Sequence, residues 1–158
     1  MNDPRINASI GFANVLVVAL LAGAVFGIWL GYDPAGLSPT TYVEQQQHAI
    51  RALNVTMPML GAIGILLTIA SAALARTQRR SLNLLLAALA CLVIAALVTR
   101  FGNQPINATV MTWSAAGPPS DWTRFRDAWW QWHIIRTVAM LAALSLLVLA
   151  DPMARRRA

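Results

Sequence analysis

The sequence contains little charge and almost no cysteine. Of its 158 residues, 11% are charged and 58% are hydrophobic, and the mean hydropathy is +0.58. A soluble domain of this size has too much surface to cover with so few charges, and a disordered chain would be far more polar. The single cysteine, Cys91, excludes an internal disulfide and a CxxC redox motif. The class that remains is an integral membrane protein.

Lysine is also absent, so the twelve basic residues are all arginine. The formal net charge is +6, but the arginines lie between hydrophobic runs instead of forming one basic stripe. This pattern argues against a nucleic-acid partner. The lack of lysine beside abundant alanine and arginine is typical of a GC-rich bacterial genome. We therefore expect the protein in a bacterial inner (plasma) membrane.

Four runs of the sequence are each long and apolar enough to cross a bilayer, which takes about 20 residues. The fourth run reaches that length only if it includes Arg136. We see no internal repeat and no room for a second domain. The sequence thus predicts an all-α membrane protein whose single domain, residues 1–158, is an up-down four-helix bundle. Its spans are predicted near residues 8–30, 52–75, 81–99 and 128–150.

The positions of the arginines predict the orientation, because short cytoplasmic segments carry the excess of positive charge. Seven arginines, including Arg155–Arg157, lie on the side of the two termini, and four lie on the other side. Both termini are therefore predicted to be cytoplasmic, and the two long links to be outside. Residues 42–51 predict a short interfacial helix, capped by Thr40 or Thr41, with glutamines 45–47 on a solvated face.

The last span carries polar and aromatic residues at alternating spacings of four and three. This spacing places their side chains on one face of a helix. An ionisable residue inside a span usually faces the bundle interior, although an arginine near the interface can also extend toward water. The stripe consists of Trp122, Arg126, Trp129, His133, Arg136 and Met140.

Polar residues from three parts of the chain are predicted to meet at the outer leaflet. A proline between two asparagines after the third span suits an irregular backbone, whether it binds a ligand or only ends the span. We expect any functional pocket to face outward between spans two, three and four. The polar residues at this end are Glu44, His48, Arg51, Arg100, Asn103, Asn107, His133 and Arg136.

Residues 103–137 hold a pattern in a fixed order: Asn103-x-Pro105-x-Asn107, then Trp129, then His133-x-x-Arg136-Thr137. This pattern resembles the anthrone oxygenase-like family of small four-helix membrane proteins (DUF1772). The family pattern often has Asn where this chain has Trp132. The resemblance implies the four-helix fold. It also implies the expectation of an oxygenase that converts anthrones to anthraquinones, although many members have no assigned activity.

Oxidation of an anthrone requires a base, a positive group for the oxyanion and an apolar slot for planar rings. We assign His133 as the candidate base and Arg136 as the candidate oxyanion stabiliser. This scheme requires no cofactor. The candidate substrate-binding residues are Asn103, Asn107, Trp129, Trp132, Arg51 and Arg100.

Two other functions stay open. His48, His133 and Glu44 supply the donor types of a two-histidine, one-carboxylate metal site in a metal-dependent oxidoreductase, with Fe, Cu or Zn as the metal. A non-enzymatic membrane protein that binds a hydrophobic aromatic small molecule or a lipid also fits. Small residues allow close helix packing within the bundle or in a homo-oligomer. They are Gly23, Gly27, Gly61 and Gly64.

Overall fold

The computed structural model describes residues 4–150, and within that range it contains helices but no strand. Four helical segments are long and apolar enough to cross a membrane, so the predicted all-α, four-span protein is confirmed. The predicted orientation rests partly on Arg155–Arg157, which lie outside the described residues. The helices are α1 (Pro4–Gly31), α2 (Pro39–Leu53), α3 (Thr56–Leu74), α4 (Arg79–Val98), α5 (Gln104–Val110) and α6 (Trp122–Ala150).

The four spanning segments form a closed ring. α1 packs against α3 and α6, and α4 packs against the same two helices, most extensively against α6. Consecutive spans are therefore neighbours, as in an up-down bundle. Small side chains at the contacts let the helices approach closely. The core includes Val18, Leu21 and Ala22 from α1, Leu85, Ala88 and Leu92 from α4, and Ala143 and Leu147 from α6.

A buried polar contact also joins α1 to α3. Asn14 is only 1% exposed. Its side-chain oxygen accepts a hydrogen bond from Thr68 Oγ1 at 3.0 Å, and its amide nitrogen donates to Ser71 Oγ at 3.4 Å. Hydrogen bonds between spans satisfy groups that lipid cannot, and they set the register of the two helices.

The interfacial helix is present but begins earlier than predicted. Ser38 is its cap, because its Oγ accepts a hydrogen bond from the Thr41 N–H at 3.2 Å. Pro39 occupies the first turn, where its missing N–H costs nothing. The prediction of Thr40 or Thr41 as the cap is therefore wrong. A short break at residues 54–55 separates α2 from α3.

The third span does not end at residue 99 as predicted. The helix continues through a π-helical turn, Thr99–Asn103, into α5. Pro105 lacks an N–H, and its ring would collide with the carbonyl four residues earlier in a regular α-helix. The wider π turn accommodates that proline, and the Gln104 N–H donates to the Thr99 carbonyl five residues back. The two asparagines thus lie on helical backbone instead of a loop.

Candidate functional site

A cavity of about 940 Å³ lies inside the bundle at the end that carries α2. This volume is within the range of pockets that hold small-molecule ligands. The four spans form most of the wall, which is largely apolar, and α2 forms a further wall. The charged and histidine residues that line it are Glu44, His48, Arg51, Arg100 and Arg136.

Two glutamines attach α2 to the bundle. The Gln47 amide nitrogen donates to the carbonyls of Val110 and Trp113, at 3.0 and 2.9 Å. Gln46 is 2% exposed, and its side-chain oxygen accepts a hydrogen bond from the Tyr32 hydroxyl at 3.3 Å. The predicted solvated face therefore holds only for exposed Gln45. The helical spacing of Gln46 and Gln47 from buried positions 43 and 50 was a signal for this role.

Tyr42 fastens α2 to the start of α6. It is completely buried, and its ring centroid lies 5.3 Å from that of Trp122. Arg126 covers the Trp122 ring at 5.1 Å and pairs with Asp127 at 2.8 Å. Burial raises the pKa of the Tyr42 hydroxyl well above its ordinary value of 10.0. Trp122 and Arg126, the first two residues of the stripe on α6, therefore take part in the contact between α2 and α6.

His133 is completely buried, and both of its ring nitrogens are engaged. Nε2 lies 3.1 Å from the main-chain carbonyl of Val25 in α1. Nδ1 accepts hydrogen bonds from Arg136, at 2.8 Å from Nη2 and 3.2 Å from Nε. A carbonyl requires a donor and a guanidinium requires an acceptor, so the imidazole is neutral with its proton on Nε2. In this state His133 has no free lone pair for a substrate.

Arg136 lies between His133 and the cavity, which it lines. Its guanidinium carbon is 5.7 Å from the centroid of the Trp129 ring. Within residues 4–150 the one salt bridge joins Arg126 to Asp127, so no described carboxylate lies within 4.0 Å of Arg136. A cation without a counter-ion in an apolar setting strongly favours an anionic ligand.

The two asparagines predicted to bind substrate both hold Trp129. The Asn103 amide nitrogen donates to the Trp129 carbonyl at 3.0 Å, and the Trp129 indole N–H donates to Asn107 Oδ1 at 2.9 Å. Trp129 in turn stacks on His133, with ring centroids 5.1 Å apart and planes 5° apart. Asn107 and Trp129 line the cavity, whereas Asn103 and His133 lie behind its wall.

Trp132, the other tryptophan predicted to stack on a substrate, does not line the cavity. It packs against the π-helical turn, where a Cβ built on Gly102 would lie 2.6 Å from the Trp132 Cγ. Only glycine leaves room for this contact. The structure thus places Trp132 in the packing of α6 against the π-helical turn.

The residues predicted as a metal site are not brought together. Glu44 and His48 line the cavity from α2, whereas His133 lies behind Arg136. In the described part of the chain, no group of three His, Cys, Asp or Glu side chains is arranged to hold a metal ion. This geometry does not support the predicted metal site, because both ring nitrogens of His133 already bind Val25 and Arg136.

The site therefore combines a largely apolar cavity, a guanidinium without a carboxylate partner and a neutral histidine behind it. The sequence model of the family described as anthrone oxygenase matches residues 47–146, from the middle of α2 into the second half of α6. No curated protein and no solved structure matches the chain.

Proposed function

Because the chain belongs to the anthrone oxygenase family, we propose that it oxidises a planar aromatic substrate of the anthrone type with dioxygen. The observation that supports this most directly is the guanidinium of Arg136, which lines the cavity with no carboxylate within 4.0 Å in residues 4–150. An anthrone that loses a methylene proton becomes an oxyanion. A fixed positive charge in a site of low polarity stabilises that anion far more than water would.

The proposed reaction balances without an external reductant or a cofactor. A base removes one methylene proton, and the electron-rich carbon of the resulting anion bonds to dioxygen. Protonation gives a hydroperoxide. Loss of the second methylene proton then forms the new C=O bond as the O–O bond breaks. One oxygen atom stays as the carbonyl of the quinone, and the other leaves as water. The methylene carbon loses the four electrons that dioxygen gains.

Arg136 and His133 act in succession in this proposal. At rest, two N–H groups of Arg136 occupy the lone pair of His133 Nδ1. The carbonyl oxygen of the bound anthrone competes for those donors, and it competes more strongly as it gains negative charge, because a hydrogen bond between two charged groups is stronger than one to a neutral ring. Transfer of the guanidinium to that oxygen frees Nδ1 to accept the methylene proton. The Nε2 contact with Val25 keeps the ring in place.

We further propose that the cavity faces outward in a bacterial inner membrane. The support is the distribution of arginine, which favours cytoplasmic termini and, with them, an outer location for α2 and the start of α6. The apolar rings of such a substrate would partition into the bilayer, and the substrate would reach the cavity from there.

Substitution of the two residues tests the chemistry. His133→Asn retains an oxygen that can accept from Arg136 but has no basic nitrogen. We expect anthraquinone formation and oxygen uptake in membranes to fall about 100-fold or more, as for loss of a general base. Arg136→Gln should cause a loss of about 100-fold, as for loss of an oxyanion donor. Arg124→Gln is the matched control, because exposed Arg124 does not line the cavity.

The possible outcomes distinguish an error in the proposed function from an error in the roles assigned to His133 and Arg136. If membranes with the unaltered protein oxidise anthrone no faster than membranes without it, the proposed function is wrong. If His133→Asn works at the unaltered rate while Arg136→Gln does not, His133 only positions Arg136 and the base is another group.

A further inference from the structure

A smaller chamber of about 550 Å³, which is open to the outside of the protein, adjoins the cavity between the end of α2 and α5. The two spaces share much of their lining, so a ligand in the cavity lies against the chamber. Its wall is completed by Pro105, Ala108 and Met111. The shared residues are Ile50, Asn54, Arg100, Gln104 and Asn107.

The polar groups of this chamber are suited to an anion. They are one guanidinium, from Arg100, and three amides, from Asn54, Gln104 and Asn107, with no carboxylate among the lining residues. The oxygen of Asn107 already accepts from the Trp129 indole, which leaves its N–H groups as the available donors.

Exposed Arg100 supplies the positive charge of this chamber. In the described part of the chain no carboxylate lies within 4.0 Å of its guanidinium. Its guanidinium carbon lies 5.9 Å from the ring centroid of Phe101. A guanidinium beside amide donors matches the geometry of a carboxylate, which accepts two parallel hydrogen bonds.

We propose that this chamber binds a carboxylate carried by the aromatic substrate, so that the substrate is an anthrone-type acid. The inference rests on the proposed function: the rings occupy the cavity, the reacting oxygen meets Arg136, and the acid group meets Arg100. Asn107 lines both spaces and marks where the ligand passes from one to the other.

Binding of two probes that share one ring system, one with a charged carboxylate and one with an uncharged ester, tests the chamber. The probes are anthraquinone-2-carboxylate and its methyl ester, titrated by calorimetry into the full-length protein in detergent. We expect the carboxylate to bind about tenfold tighter or more, as for a hydrogen bond between charged groups. Arg100→Gln should abolish that preference, lowering the affinity for the carboxylate far more than the affinity for the ester. Arg124→Gln, which alters an exposed arginine outside both spaces, should keep the preference.

Three results would overturn the proposal. The first is equal affinity of the unaltered protein for both probes. The second is an Arg100→Gln protein that loses affinity for both equally. The third is displacement of the carboxylate by phosphatidylglycerol but not by phosphatidylcholine, which would make the chamber a lipid headgroup site. These binding measurements require no turnover, so their result does not depend on whether the protein oxidises uncharged anthrone.

Discussion

Gly102→Ala should destabilise the protein through a single contact. Gly102 lies in the π-helical turn, and a methyl group there would lie 2.6 Å from Cγ and 2.7 Å from Cδ2 of Trp132. Carbon atoms in contact are ordinarily about 3.5–4.0 Å apart. Cγ is the first ring atom, so rotation of the indole about its last side-chain bond leaves that atom in place. Relief requires a different χ1 rotamer or a shift of one helix.

Two opposing contributions determine the expected size of the effect. Overpacking of this kind costs about 1–3 kcal/mol. Replacement of a helical glycine by alanine otherwise stabilises by up to ~1 kcal/mol. Gly23→Ala provides the control, because nothing lies within 4 Å of a Cβ at that position in α1. The two variants should therefore differ in free energy of unfolding by about 1–3 kcal/mol, with Gly102→Ala the less stable.

Unfolding in detergent, followed by circular dichroism, measures this difference. The decisive comparison repeats Gly102→Ala in a Trp132→Ala background, where the indole is gone and the added methyl has room. There the substitution should become stabilising, as we expect for Gly23→Ala. If Gly102→Ala has the same effect with and without the tryptophan, the contact with Trp132 is not what requires glycine.

Two further predictions concern α2. Gln47→Leu removes the donor that joins α2 to the carbonyls of Val110 and Trp113, of which Val110 keeps the Trp113 N–H, so we expect a loss of about 1–3 kcal/mol and faster limited proteolysis of α2; exposed Gln45 gives the control variant Gln45→Leu, and equal proteolysis of the two would contradict the anchoring role. Because burial raises the pKa of Tyr42 above 10.0, an unfolded chain loses that proton first and stability falls as pH rises above 10.0. Tyr42→Phe should lose less stability between neutral pH and about pH 11. If the pH dependence is unchanged, the buried hydroxyl of Tyr42 is not the cause of this loss of stability.

Hydropathy predicted the number of spans because lipid imposes the same requirement on every spanning helix. It predicted their ends less well. The run at residues 99–110 looked like a link because it holds Arg100 and Pro105, yet the backbone continues as a π turn and a helix. Backbone groups near a bilayer are satisfied more readily in a helix than in a loop, and that requirement outweighs the local signals.

The site was predictable where it depends on one helix. The 3.6-residue period placed Trp129, His133 and Met140 on the buried face of α6, and all three are buried. What they meet was not predictable. The acceptor of His133 Nε2 is the main-chain carbonyl of Val25, and every residue has such a carbonyl, so no side-chain type indicates it. For the same reason the sequence alone could not show that His133 lies behind Arg136.

The contact between Arg136 and His133 lies within one helical turn, so it forms as soon as α6 is helical. The partner from α1, the Val25 carbonyl, becomes available only when the bundle closes. During synthesis, α6 enters the membrane after the other three described spans. Its arginine can therefore enter lipid already hydrogen-bonded to the histidine, which lowers the cost of insertion before any neighbour is in place. The pair that supports the proposed chemistry thus also makes this fourth span easier to insert.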